Sequence, residues 1–112
     1  MTNTNKYSAK RTVADNITFD SKAEAARYRE LKLLKKAGRI SKLVLQPPFI
    51  IIEKQPGEKG AKYTADFMYV ENGKIIVEDV KSEITIKKPD YILRRKLFKL
   101  KYPEYIFRET II

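Results

Sequence analysis

The chain has 112 residues, 43% of them hydrophobic, and carries 24 Lys+Arg against 14 Asp+Glu, a formal net charge of +10. That describes one folded domain with a single core, too small for a cofactor domain plus a substrate domain. Cysteine and histidine are both absent, which excludes disulfides, thiol nucleophiles, His-based triads and imidazole or thiolate metal sites, and leaves carboxylates, lysines, hydroxyls and water for any chemistry.

Residues 1 to about 18 are polar, with Lys6, Lys10 and Arg11, no periodicity and no signal-peptide-like apolar stretch. They read as a flexible basic arm preceding a domain over residues 19–112. The run from Asp20 to Gly38 reads as a helix. Ser21 and Glu24 match a capping box, Ala, Glu, Arg, Leu and Lys fill the interior, and Gly38 stops it. Glu24, Tyr28 and Leu31 fall on one stripe of that helix.

Ile40 to Ile52 is rich in Leu, Val and Ile and broken by Pro47-Pro48, which predicts an edge strand bent at the prolines. Its longest apolar run, Phe49 to Ile52, is far below the ~18 residues of a membrane span. Glu53 to Gly60 is a loop. Lys62 to Val70 and Lys74 to Lys81 are strand-like and meet at Asn72-Gly73, a strong signal for a two-residue hairpin turn. Lys88 to Lys101 predicts a second helix with Leu93, Leu97 and Leu100 as its apolar stripe. Tyr105 to Ile112 predicts a last strand. The expected whole is a small single-domain α/β fold.

The hairpin register carries the chemistry. A type I′ turn at Asn72-Gly73 sets Glu71 opposite Lys74, Tyr69 opposite Ile76, Phe67 opposite Glu78, Asp66 opposite Asp79 and Thr64 opposite Lys81. Two carboxylates then face each other with Cβ atoms about 4.5–5.5 Å apart, a destabilising pairing unless something compensates it. A divalent cation would compensate, and Mg²⁺ takes oxygen ligands from one or two carboxylates plus waters and phosphate. A plain Asp79–Lys81 salt bridge reads the same residues without a metal. Alternation puts Asp79 and Lys81 on one face and Glu78 on the other, which removes Glu78 from the ligand set.

At these residues the sequence resembles the PD-(D/E)XK nuclease superfamily: an acidic residue on one core strand (Asp66 in Tyr63-Thr64-Ala65-Asp66-Phe67), an acidic-x-Lys triplet on the next (Asp79-Val80-Lys81), and a Glu on the preceding helix (Glu24). Ala65 stands where the signature has its Pro. Within the superfamily it looks most like small phage-encoded endonucleases grouped near Holliday-junction resolvases. The resemblance spans roughly residues 19 to 108. It implies a restriction-endonuclease-like αβββαβ core, with a mixed sheet flanked by helices, and a Mg²⁺-dependent DNA endonuclease for which Mn²⁺ can substitute. Asp66 and Asp79 would be the principal metal ligands, with Glu24 and the Val80 carbonyl as further ones, and Lys81 would contact the attacking water or the phosphate. The setting implied is the cytoplasm of a phage-infected or prophage-carrying bacterium, with no membrane and no organic cofactor.

The missing histidines fit a hard-cation site, and the charge of +10 points to a polyanionic partner, its phosphate backbone held by basic residues of the second helix and of the arm. Gln46, beside the prolines, is a candidate to orient phosphate or water. Lys87, Lys88, Arg94, Arg95, Lys96 and Lys99, with Thr85 and Tyr91, are candidate DNA-backbone contacts, although a charge run of this kind is usually a solvated face. Resolving a junction takes two coordinated cuts and would imply a homodimer. The alternative is a non-catalytic basic DNA-binding or accessory protein on the same fold.

Overall fold

A computed structural model describes residues 11–112. Its elements are β1 (Thr12–Ala14), β2 (Ile17–Phe19), α1 (Lys22–Lys36), β3 (Ser41–Leu45), β4 (Pro48–Ile52), β5 (Ala61–Thr64), β6 (Phe67–Glu71), β7 (Lys74–Lys81), a 3₁₀ turn (Thr85–Lys87), α2 (Pro89–Lys101) and β8 (Ile106–Ile111). The result is a small α/β domain. Its main sheet is mixed and runs β3-β6-β7-β8, with β7 and β8 parallel and the other pairs antiparallel. No helix of the described residues is long and apolar enough to cross a membrane.

Helix α1 forms as its sequence signals demand. Ser21 Oγ accepts the N–H of Glu24 at 3.0 Å, while Glu24 Oε1 accepts the N–H of Asp20 at 3.4 Å, so the box closes one residue early. At the other end Gly38 takes φ +76° and Arg39 N–H returns to the carbonyl of Leu34, the left-handed exit that glycine permits. The expected stripe of Glu24, Tyr28 and Leu31 is buried.

The two sheet faces carry separate aromatic cores. Ala25, Tyr28 and Leu31 of α1 pack with Phe67, Tyr69, Ile76 and Val80 on one face. On the other, Tyr91 and Phe98 of α2 pack with Phe49, Tyr63 and Val77. Each such aromatic, removed from water, supplies roughly 1.5–3 kcal/mol before chain entropy is counted.

Four expectations need correction. First, residues 12–18 are not a flexible arm: β1 and β2 form a hairpin whose Ala14 and Phe19 enter the α1-side core. Residues 1–10 of the expected arm, with Lys6 and Lys10, lie outside the described residues.

Second, the run from Lys62 to Val70 is not one strand. It bends at Ala65-Asp66, just where the partner run bends at Gln46-Pro47. β3 pairs with β6 and β4 with β5 in one register, Leu45 opposite Phe67 and Pro48 opposite Thr64. The corner is held by Gln46 N–H to the Asp66 carbonyl (2.9 Å) and Ala65 N–H to the Pro47 carbonyl (3.1 Å). Gln46 itself takes φ +51°, a left-handed conformation that side chains other than glycine adopt only where the surroundings impose it.

Third, and in consequence, Thr64 does not face Lys81 but leaves with β5 for the second sheet. From Glu71–Lys74 to Phe67–Glu78 the hairpin register is as expected, with Asn72 and Gly73 both at positive φ.

Fourth, of the expected α2 stripe only Leu97 packs against the core, half-buried, while Leu93 and Leu100 do not. Leu93 is 57% and Leu100 78% exposed, while Tyr91 and Phe98 are buried. The helix offers two apolar stripes, and the aromatic one wins because Phe49 and Tyr63 are there to receive Phe98 at ring distances of 4.9 and 5.2 Å.

Candidate acidic cleft

The corner decides where the carboxylates go. Asp66 sits where β5 hands over to β6, and Asp79 lies near the end of β7. Beyond Phe67–Glu78 the ladder makes one more backbone bond, Asp66 N–H to the Glu78 carbonyl at 3.1 Å, and the two acidic side chains carry it on. Asp79 Oδ1 accepts the N–H of Asp66 at 3.0 Å, and Asp66 Oδ2 accepts the N–H of Val80 at 2.7 Å. Asp79 is fully buried, and its other oxygen accepts the Tyr63 hydroxyl. Lys81 Nζ lies 3.9 Å from Asp79 Oδ1 and stands over the Tyr91 ring. Glu24 is 4% exposed at the α1 N-terminus and contributes to the field felt by Asp66.

Burial leaves this group short of positive charge. The Asp66 carboxyl is pushed up to about 7, first by desolvation; Lys81 pulls it down, the Glu24 carboxyl beside it pushes it up and the Val80 N–H pulls it down again. Asp79 is pushed up to about 6, again first by desolvation, with Lys81 lowering it, the Asp66 charge raising it and the Tyr63 hydroxyl lowering it. Tyr63 is driven well above its usual value by its own burial and then by the charge of Asp79. One ammonium does not neutralise the carboxylates gathered here.

In front of them opens a cleft of about 410 Å³. Gln46, Thr64, Ala65, Asp66 and Lys81 form one side, and Arg11, Thr18 and Asp20 from the base of the β1–β2 hairpin also line it. The expected Asp66, Lys81 and Gln46 are therefore brought together, with Asp79 behind Asp66 and Glu24 close enough to act on it. Val80 offers its N–H to Asp66, while its side chain packs on the α1 side.

The expected DNA contacts around α2 are not brought into the cleft. Arg94 donates to the Lys62 carbonyl, Arg95 lies 3.3 Å from Glu109, and Lys99 covers the Phe107 ring. Lys87, Lys88 and Lys96 are exposed outside it. Thr85 closes a turn with Ser82. Tyr91 is not available to a ligand: it is buried, and its hydroxyl donates to Glu109.

Sequence reasoning missed Tyr63, Glu109, Thr18 and Asp20, and it held Arg11 in a basic arm gripping the phosphate backbone, not in a hairpin at the cleft. Period-2 alternation sets Tyr63 on the Phe67–Glu78 face, away from Asp79, and only the bend at Ala65-Asp66 turns it toward that carboxylate. No local signal sets the parallel register that puts Glu109 beside Asp79. On the opposite face Glu78 lies outside the cleft, as alternation requires. It is fully buried, held by Arg27 at 2.7 and 3.0 Å, by Tyr69 and by Thr110 at 2.9 Å.

A divalent metal is the group these residues invite. The donors are all hard oxygens and the carboxylates are under-compensated, which suits Mg²⁺ or Mn²⁺. Among the described residues no group of three or more ligating side chains is arranged around one point. The fit is therefore to an ion held by one or two carboxylates and completed by water and phosphate, not to an all-protein cage.

Fold and site together define a small mixed-sheet α/β domain with an acidic pair at a strand corner, opening into a cleft of mixed charge. The chain belongs to the family described as "Protein of unknown function (DUF1064)", matched over residues 4–111. No curated protein and no solved structure matches it.

Proposed function

We propose that the protein is a divalent-metal-dependent DNA endonuclease of the PD-(D/E)XK type, on a restriction-endonuclease-like form of this α/β fold. The observation that carries this reading is the placement of Asp66, Asp79 and Lys81 around one strand corner, with Asp66 and Lys81 lining a 410 Å³ cleft beside Gln46. Asp66 and Asp79 would hold the ion, with Glu24 behind Asp66 and the Val80 carbonyl as a further oxygen. A bound cation would supply a water acidic enough to attack at neutral pH and would offset charge on the phosphate.

The rest is done by side chains. Tyr63, donating to Asp79, fixes the orientation of that carboxylate. Lys81, beside Asp79 and in the cleft, directs its ammonium at a phosphate oxygen or the attacking water. Gln46, at the corner, offers an amide to the same phosphate. The positive balance of the chain favours DNA as the partner, and the bacterial cytoplasm is the setting this reading implies.

The test is a cleavage panel of duplex, single-stranded, flap and four-way-junction DNA with Mg²⁺ or Mn²⁺. The expected result is metal-dependent cutting of at least one substrate, lost in Asp79→Asn and Lys81→Ala. A wild-type protein inert on every substrate with both metals refutes the enzyme reading. Junction cutting would further require a dimer, read from the sedimentation of the active species.

One observation favours a second reading, a non-catalytic DNA-binding accessory protein. Asp66 and Asp79 each hold a backbone N–H at the end of the ladder, a structural duty that explains the pair without a metal. That reading predicts salt-sensitive binding that survives Asp66→Asn, with no turnover.

A further inference from the structure

We infer that the base of the β1–β2 hairpin is the strand-binding wall of the cleft, with Arg11 and Thr18 holding the phosphate next to the one over Asp66 and Lys81. The inference rests on the nucleic-acid part of the reading above, not on turnover.

The hairpin is built to hold a fixed position. Thr12 pairs with Phe19, which leaves Arg11 and Asp20 at its open end, on the cleft. Its tip turns at Asp15-Asn16, with φ +52° and +61°. That tip is tied to α1, where Asp15 accepts from the Tyr28 hydroxyl at 2.9 Å and from Lys32. Ala14 and Phe19 anchor the underside in the core. Alternation then turns Thr18 away from the core side of Phe19, and it lines the cleft.

Each wall pairs one cation with one carboxylate, and the two differ in the kind of cation. Among the described residues the cleft holds two cations, Arg11 and Lys81, and two carboxylates, Asp20 and Asp66. A phosphate over Asp66 is repelled unless Lys81 and a cation on the carboxylate offset it. The neighbouring phosphate needs a donor on the other side, and Arg11 has the planar fork that binds phosphate with two hydrogen bonds. A threonine hydroxyl is a common second donor to phosphate oxygens. The basic residues expected for this task on α2 are elsewhere: Arg94, Arg95 and Lys99 are engaged by Lys62, Glu109 and Phe107.

Size sets the substrate class. A cavity of 410 Å³ lies toward the small end of ordinary ligand pockets, about 300–1,000 Å³, so a nucleotide or two of one strand fills it, and an unpaired strand enters more fully than one held in a duplex. The ligand inferred is a single strand, free or departing from a duplex at a flap, nick or junction.

The test uses the full chain in EDTA and again with Ca²⁺, a hard cation for the carboxylates, with a fluorescein-labelled single-stranded oligonucleotide and its duplex, read by anisotropy across a salt series. Arg11→Ala should weaken single-strand binding about 10-fold and lower the slope of log K against log salt by about 0.7. Thr18→Val should weaken it about threefold. Arg11→Lys should keep the slope, and Arg94→Ala and Lys99→Ala should stay within about twofold of wild type. Arg11 and Thr18 are exposed, so their variants should melt with the wild type. Unchanged affinity and slope in both Arg11→Ala and Thr18→Val overturn the inference, as does tighter wild-type binding to the duplex than to the single strand. Arg11-dependent binding without cleavage in Mn²⁺ supports it while refuting the nuclease. Failure of the wild type to bind any oligonucleotide removes the nucleic-acid reading and this inference with it.

Discussion

Replacing Asp66 by Asn should make the protein more stable at neutral and alkaline pH, and progressively less so as pH falls. In the folded state Asp66 is pushed up from 3.8 to about 7, chiefly by desolvation. An acid whose folded value is raised binds its proton more tightly folded than unfolded, so stability falls as pH climbs between the two values. Asp66 opens to the cleft and titrates together with its acidic neighbours, so its ionised form costs on the order of 2 kcal/mol above pH 7. Below pH 4 that cost is nearly gone, because the carboxyl is protonated in both states. Asn has the same shape, carries no charge, and keeps an oxygen to accept the Val80 N–H. Its advantage should therefore be about 1–3 kcal/mol at pH 8 and a few tenths at pH 4. Urea unfolding at pH 4, 6 and 8, with m-values compared to confirm two-state behaviour, measures this directly. Mg²⁺ should recover part of the difference by raising the wild-type midpoint at pH 8 and not that of Asp66→Asn. An Asn variant no more stable than wild type at pH 8, or an advantage independent of pH, would refute the claim that the corner carboxylates are under-compensated.

Three further perturbations separate other parts of the argument. Glu78→Ala removes the acceptor for Arg27, Tyr69 and Thr110; chemical denaturation should show a loss of about 3 kcal/mol, the low end for a broken buried pair because Arg27 is partly exposed and also reaches Glu30. Phe98→Ala should cost about 3–5 kcal/mol, whereas Leu100→Ser should stay within about 0.5 kcal/mol, as their burial requires; the same assay giving the reverse order would mean that α2 is rotated. Tyr63→Phe deletes a hydrogen bond that lowers the Asp79 value, so Asp79 should ionise at higher pH; the acidic limb of the cleavage pH profile should move upward, and an unmoved limb would separate Asp79 from the step that limits the rate.

How far the fold was legible depended on how local its determinants are. The β6–β7 hairpin was readable because Asn72 and Gly73 dictate a turn in which both residues take positive φ, and the turn fixes the pairing as far as Phe67–Glu78. Helix α1 was readable to within two residues because cap, interior and stop signals agree. For α2 the element was readable and its buried face was not. Leucine and aromatic stripes are equally apolar, and only the aromatic rings waiting on β4 and β5 chose between them.

The acidic pair shows the same limit at the site. That Asp66 and Asp79 come together followed from register. That each would hold a backbone N–H at the end of the ladder did not, because it depends on both strands of the β3–β6 pair bending at one level, with Gln46 at positive φ. The hairpin that supplies Arg11 and Thr18 has strands of three residues each, too short for periodicity to reveal, and it is stabilised by distant Tyr28 and Lys32.

The sequence by itself determined a single basic α/β domain without sulfur or imidazole chemistry, and two aspartates and a lysine gathered at one strand end. Those properties follow from composition, turn chemistry and side-chain alternation, all of which act over a few residues. Only the tertiary structure decided that a strand corner buries Asp79 and opens Asp66 to a cleft, and that the hairpin, not α2, brings the second cation to it. It also decided which face of α2 is covered. Those outcomes depend on which distant surfaces meet, and burial, with the carboxylate stress it creates, exists only once they do.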